Sequence, residues 1–255
     1  MHLIHALILG VVEGLTEYLP ISSTGHLILT SRLLELEHTE FIKTFEICIQ
    51  SGAILSVVVL YWKRLFVDTE VIKRVAAAFV PTALIGFILY KSIKKILLGN
   101  TDVVLWALLV GGVLLIVFEW LYKEKPTAVD DITQMTYKQA AMIGLCQSLA
   151  MIPGVSRSAA TILGGLLQGL SRKMIVEFSF LLAVPTMFAA TALDIIKNPP
   201  NFSEGQSLFL MVGFLSAFVV GILSIRFFLA YIRHNNFIIF GIYRIVIALI
   251  LFNFL

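Results

Sequence analysis

Residues 10–29 read GVVEGLTEYLPISSTGHLIL. An apolar helical run carries Glu13 and Glu17 and breaks at Pro20. It then passes through Ser22, Ser23 and Thr24 and resumes as a second apolar run holding His26. Residues 144–162, GLCQSLAMIPGVSRSAATI, follow the same grammar: an apolar run, Pro153-Gly154, then Ser156-Arg157-Ser158 and another apolar run. Charged and hydroxylated groups inside apolar runs are costly in lipid and mark functional positions. The two stretches are expected to meet inside a membrane.

The rest of the chain sets that membrane context. Of 255 residues, 59% are hydrophobic and 14% charged, and the mean hydropathy is +0.95. A soluble domain is about 45–50% apolar and about 25% charged. The composition therefore predicts an all-α polytopic membrane protein. A net charge of +3, with the basic residues set between apolar runs, reads as a topology signal and excludes a nucleic-acid surface. Cys48 and Cys146 lie in apolar runs with no CxxC or Cys/His cluster near them, which reads as packing and not as a disulfide or metal pair. The N-terminal run lacks a basic leader and a small-residue cleavage site, so it does not read as a removable signal peptide.

Each of the two quoted stretches is too short and too polar to cross comfortably. Each reads as a re-entrant hairpin whose tip must be buried by protein. The first spans the N-terminus to about residue 34, with Ser22 or Ser23 capping its second helix; the other covers about 136–170. Spans are expected at about 41–62, 75–94, 102–122, 174–196, 207–231 and 237–254, each near the roughly 20 residues a bilayer needs. The order is hairpin, three spans, polar linker, hairpin, three spans. We read it as a single integral-membrane domain built from repeat 1–122, linker 123–135 and repeat 136–255. With an odd number of crossings per half, the second half is inverted, an architecture known for broken helices and midplane sites. Sliding one stretch onto the other matches Gly10 with Gly144, Leu15 with Leu149 and Ser22 with Ser156. Glu13 then meets Gln147, Thr24 meets Ser158, and the prolines miss by one.

Loop charge gives the orientation. Arg32, Lys43, Lys91, Lys94, Lys95 and Lys197 fall on the side of both termini, against eleven basic residues on the other. The richer side is cytoplasmic, so both termini are expected outside. Arg157 and Arg244 remain within the membrane.

Glu13 and Glu17, spaced i, i+4, share one helix face. Two carboxylates so close in low dielectric repel, so one keeps a proton or a cation sits between them. Facing an aqueous pore or bonding other helices is the plainer alternative. Oxygen ligands together with a phosphate oxygen would suit Mg²⁺ or Ca²⁺. Ser22, Ser23 and Thr24 cap a helix N-terminus, as do Ser156 and Ser158, and a helix N-terminus binds phosphate. Two such termini aimed at the midplane make a two-sided anion cradle, for which Arg157 supplies a bidentate fork. His26, three residues after Ser23, lies within reach to activate a serine, protonate a leaving oxygen or attack phosphorus itself; it also suits a plain buried hydrogen bond. Glu46, Gln50, Glu177, Asp194 and Arg244 read chiefly as interhelical glue, and Glu119 as reaching the interface.

EGLTEYLPISSTGH (13–26) and PGVSRSAAT (153–161) resemble the two signature stretches of the bacterial undecaprenyl-diphosphate phosphatases, the bacitracin-resistance family. TFEICIQSGAI (44–54) and EFSFLLAVP (177–185) are also similar to that family, and the resemblance runs over essentially the whole chain. It implies an enzyme of the bacterial inner membrane that removes the terminal phosphate of undecaprenyl diphosphate. The lipid monophosphate is then reused as carrier for cell-wall synthesis, with resistance to bacitracin as a consequence. It further implies a divalent cation, a site opening on the outer face, homodimers, and an active-site set of Glu13, Glu17, Ser23, His26 and Arg157. In that setting Ser23 is the favoured nucleophile, with Glu17 or His26 as base and Glu13 and Glu17 on the cation; attack by His26 or by water stays open. The rival from another class is a transporter or lipid flippase, which inverted repeats also suit.

Overall fold

The computed structural model describes residues 1–37, 39–96, 101–197 and 205–254. For residues 90–96, 253 and 254 only the backbone is described, so the side chains of Lys91, Lys94 and Lys95 lie outside the described residues. Ten α-helices follow one another: α1 (Leu3–Thr16), α2 (Ser23–Leu33), α3 (Glu40–Phe66), α4 (Thr69–Ile96), α5 (Thr101–Leu121), α6 (Tyr137–Gln147), α7 (Arg157–Leu166), α8 (Arg172–Lys197), α9 (Ser207–Ile232) and α10 (Ile238–Phe254). Among the described residues there is no strand beyond one isolated bridge, between Val129 and Leu170. The chain is an all-helical, polytopic membrane protein.

Five helices, α3, α4, α5, α8 and α9, are long and apolar enough to cross a bilayer. The sequence led us to expect a sixth. α10 occupies the stretch expected for it but has 17 residues, Ile238–Phe254, below the roughly 20 a straight crossing takes.

The helix ends follow local chemistry. Thr39 starts α3 by accepting from Ile42 N at 3.3 Å. Thr136 and Gln139 make a reciprocal capping box at the start of α6. The polar segment before α6 is docked. Val129 N donates to Gly169 O (3.1 Å) and Ser171 N to Val129 O (2.9 Å), tying the linker to the corner between α7 and α8.

The two broken stretches fold alike. α1 and α2 flank one turn, and α6, a short 3₁₀ turn (Ser148–Met151) and α7 flank the other. α1 packs on α9 as α6 packs on α4. The matched glycines make both approaches possible. A Cβ on Gly10 would stand 2.0 Å from Ser216 Oγ, and one on Gly144 would stand 1.9 Å from the Ala78 carbonyl. Helices in lipid gain by packing this closely, since apolar burial drives little association there.

Candidate active site

Ser22 and Ser156 take the same unusual backbone. Both are helix N-caps with positive φ, 72° and 74°, and both side chains accept from the amide three residues on, Gly25 N and Ala159 N. Non-glycine residues seldom adopt such a conformation, and it collects at functional sites. Each cap starts a short helix whose first amides have no helical partner.

Between the two turns lies a cavity of about 690 Å³, within the usual range for a ligand pocket. Glu17, Ser22, Ser23 and Thr24 line it from the first turn, and Ser156 and Arg157 from the second. The remaining wall is largely apolar, with Phe79, Phe87, Met187 and Leu193 from α4 and α8.

Glu17 is the hub. Ser23 Oγ donates to Glu17 Oε2 at 2.5 Å. Arg157 Nη2 donates to the other oxygen, Oε1, at 2.8 Å. This is a buried pair, with side-chain exposures of 4% for Glu17 and 11% for Arg157. Arg157 is fixed further by Nη1 donating to Ser179 O at 2.9 Å, while its buried Nε has no partner. One carboxylate thus holds a serine hydroxyl and a guanidinium from opposite halves of the chain.

Two expected site residues face elsewhere, and a third is covered. Glu13, one turn before Glu17, is fully buried beside it, with both carboxylate oxygens unpartnered. Ser158 turns its hydroxyl to Tyr18 O at 2.9 Å, joining the two turns. The ring nitrogens of His26 bond groups other than Ser23. Its Nδ1 meets Ser22 O at 2.8 Å and its Nε2 meets Tyr243 Oη at 2.9 Å. A carbonyl only accepts, so Nδ1 carries the hydrogen and Nε2 of the neutral ring accepts from the tyrosine.

Several contributors were not singled out from sequence. Tyr18 is fully buried and its hydroxyl donates to Ala53 O on α3, which anchors the first turn. Gln147, the partner of Glu13 in the alignment of the two stretches, donates to Thr82 (3.2 Å) and Thr186 (3.1 Å) and accepts from Thr161 (3.2 Å). Thr82 and Thr186 each follow a proline inside a helix, Pro81 and Pro185, and that Pro-Thr pairing was a usable signal. Arg244, read as glue, bonds carbonyls of both turns. Glu119, expected at the interface, is buried instead. It holds Arg172 at 2.5 and 2.8 Å and accepts from Phe237 N at 3.0 Å, because a carboxylate with three donors around it has no need of water.

The same pattern is found in known proteins. The family model described as Bacitracin resistance protein BacA matches residues 6–250. A protein of Aquifex aeolicus named undecaprenyl-diphosphatase is 51% identical over 245 residues, covering 96% of this chain and 95% of its own. Those of Persephonella marina (52% over 254 residues) and Wolinella succinogenes (49% over 255 residues) bear the same name; each match covers 100% of this chain and 99% of theirs. With half of its residues shared from end to end and both turns inside the matched region, the chain belongs to the BacA family of bacitracin resistance proteins.

Proposed function

We propose that this chain hydrolyses undecaprenyl diphosphate to undecaprenyl phosphate and inorganic phosphate. The observation that carries this reading is the Ser23–Glu17–Arg157 constellation at the end of a largely apolar cavity. It puts a hydroxyl, a base and a phosphate-binding fork within one contact of each other, beside space for a lipid tail. The names of the full-length relatives support the same substrate.

In this mechanism Ser23 Oγ attacks the terminal phosphorus. Its proton passes to Glu17, and the bond from that phosphorus to the bridging oxygen breaks, releasing the lipid monophosphate. Water then cleaves the phosphoserine, giving phosphate and restoring the serine. Arg157, through the open Nε and the fork now shared with Glu17, takes the charge on the phosphoryl oxygens, and the amides at the starts of α2 and α7 add to it. Phosphoryl transfer depends chiefly on such positioning and charge stabilisation. His26 and Ser158, whose polar atoms are bonded to backbone and to Tyr243, hold the turns in place. Ser22, Thr24 and Ser156 complete the cradle.

A divalent cation, Mg²⁺ or Ca²⁺, fits the donor set. Glu13 has two buried oxygens without partners, and carboxylate oxygen is the ligand such ions prefer. Among the described residues no group of three His, Cys, Asp or Glu is arranged for a metal. Glu13 and Glu17 would therefore hold the ion together with substrate oxygens, and when bound it neutralises pyrophosphate charge.

The reading extends to architecture and place. Repeats 1–122 and 136–255 are inverted copies joined by linker 123–135, each with a re-entrant hairpin. The equivalent caps at Ser22 and Ser156 and the parallel roles of Gly10 and Gly144 support this. Both termini and the mouth of the cavity face outward from the inner membrane, as loop charge indicates. The product returns to cell-wall synthesis as carrier, resistance to bacitracin follows as the family's description suggests, and a homodimer is what the family resemblance implies.

The test is phosphate release from undecaprenyl diphosphate by the purified chain in detergent, with and without EDTA. Release that stops with EDTA is expected. A folded protein that releases none under any divalent cation would overturn the enzyme and leave a transporter of anionic lipid.

A further inference from the structure

Arg244 sits in the middle of α10, fully buried. A guanidinium has five N–H groups, and here each meets a backbone carbonyl. Nη1 donates to Pro20 O (3.2 Å) and Val155 O (3.1 Å), and Nη2 to Gly154 O (2.9 Å) and Ala107 O (2.9 Å). Nε donates to Leu108 O at 3.3 Å. Two of these carbonyls belong to α5. The other three belong to the two turns, where the chain leaves the helix and its carbonyls lose their usual donors.

The surroundings are built to admit this group. Gly111 on α5 faces it, and a Cβ there would stand 2.1 Å from Nη2 and 2.7 Å from Cζ. The neighbouring Tyr243 reaches the same first turn by a second route. Its hydroxyl meets His26 Nε2, its ring stacks on the imidazole at 5.5 Å and 5°, and His26 Nδ1 meets Ser22 O. α10 therefore grips the first turn at Pro20 and, through His26, at Ser22, while it holds the second turn at Gly154 and Val155.

We propose that Arg244 is a positioning residue for the phosphatase reaction: by bonding Pro20 O, Gly154 O and Val155 O at once, it fixes the two turns at the separation at which Ser23 and Glu17 meet Arg157. The proposal rests on the function above. Arg157 touches Glu17 only if both turns hold their places, and Arg244 holds them by their backbone carbonyls. Lysine cannot replace arginine here, since three donors on one nitrogen cannot span five carbonyls on three segments.

Two variants test this, Arg244→Lys and Gly111→Ala. The first keeps the charge and loses the fork, and the second drives a methyl group into the guanidinium. Each is assayed for phosphate release per folded molecule. In parallel, spin labels at Leu15→Cys and Leu149→Cys, exposed positions beside the turns, report their separation. The labels are placed in a background in which Cys48 and Cys146 are serine and activity matches the parent. Misplacement by about 1 Å costs on the order of 100-fold in rate. We expect kcat to fall by about that factor in both variants, with KM little changed and the label distances broadened.

A purely structural arginine would lower thermal stability and leave kcat per folded molecule intact, and that result overturns the proposal. So does a lost rate with unchanged label distances. If the parent itself releases no phosphate, the functional reading fails. The labels then decide the clamp separately: an unbroadened distribution overturns it, and a broadened one upholds it.

Discussion

Replacing Glu17 by glutamine keeps the shape of the side chain, removes one negative charge and turns one acceptor oxygen into a donor. Both carboxylate oxygens are in use, one by Ser23 and one by Arg157. The amide oxygen must face the guanidinium, since placing NH₂ there would set donor against donor. The amide nitrogen then faces Ser23, whose hydroxyl changes from donor to acceptor and has no base for its proton. General-base catalysis contributes about 10²–10⁴-fold, equivalent to about 3–5 kcal/mol in the barrier, and kcat should fall by that amount. The guanidinium at the same time loses its counter-charge, which favours the substrate anion, while the cation that Glu13 and Glu17 would hold loses a charged ligand, so KM should change less than kcat. Breaking a buried ion pair by neutralising one member costs about 3–5 kcal/mol of stability; the retained amide bond puts this variant at the low end. The assay is phosphate release at saturating and limiting substrate, normalised to protein that elutes folded, with a thermal midpoint for each preparation. A kcat within about tenfold of the parent would refute Glu17 as the base. A raised KM with kcat unchanged would assign it to uniform binding alone.

Three further perturbations separate chemistry from scaffold. Ser23→Ala should abolish release and any phosphoserine trapped by acid quench, while substrate is still retained on the protein; label found on His26 instead would reassign the nucleophile. Gly144→Ala places a methyl carbon 1.9 Å from the Ala78 carbonyl and should cost about 1–3 kcal/mol as α4 and α6 are forced apart, read as a lower thermal midpoint in detergent. Glu119→Gln, at a site with 2% side-chain exposure, should cost about 1.5–3 kcal/mol by weakening charged hydrogen bonds to Arg172, which keeps Glu124 as a partner, and leave kcat per folded molecule unchanged, because none of this cluster lines the cavity.

What the sequence revealed depended on how local the cause was. Bilayer thickness and the need to satisfy backbone groups internally dictate long apolar runs, so five of six expected spans appear as helices of spanning length. The breaks at Pro20 and Pro153-Gly154 and a cap at Ser22 or Ser23, which the structure places at Ser22, were legible because proline and a serine cap act over a few residues. Glu13 and Glu17 fell on one face for the same reason. Contacts between distant segments were not legible. His26 was read against Ser23, its neighbour in sequence, yet it pairs with Tyr243 from α10. Glu119 was sent to the interface, because nothing near it in the chain announces Arg172 or the amide of Phe237. Nor did any local pattern reveal that Arg244 meets both turns, or that Ser22 and Ser156 adopt positive φ.

The packing of α1 on α9 bears on how the molecule is made. α1 ends at Thr16 and α9 begins at Ser207. At roughly 5–20 residues per second of synthesis, α9 follows α1 by on the order of ten to forty seconds. Throughout that interval Glu13 and Glu17 have no finished protein to cover them, and the hydrocarbon interior is closed to them. The first hairpin must wait at the water boundary or against the insertion machinery. The second hairpin emerges after α4, its packing partner, has been made, and can dock at once. The half of the site synthesised first is therefore the half assembled last, and Glu17 and Arg157 come together only when the nascent chain is nearly complete.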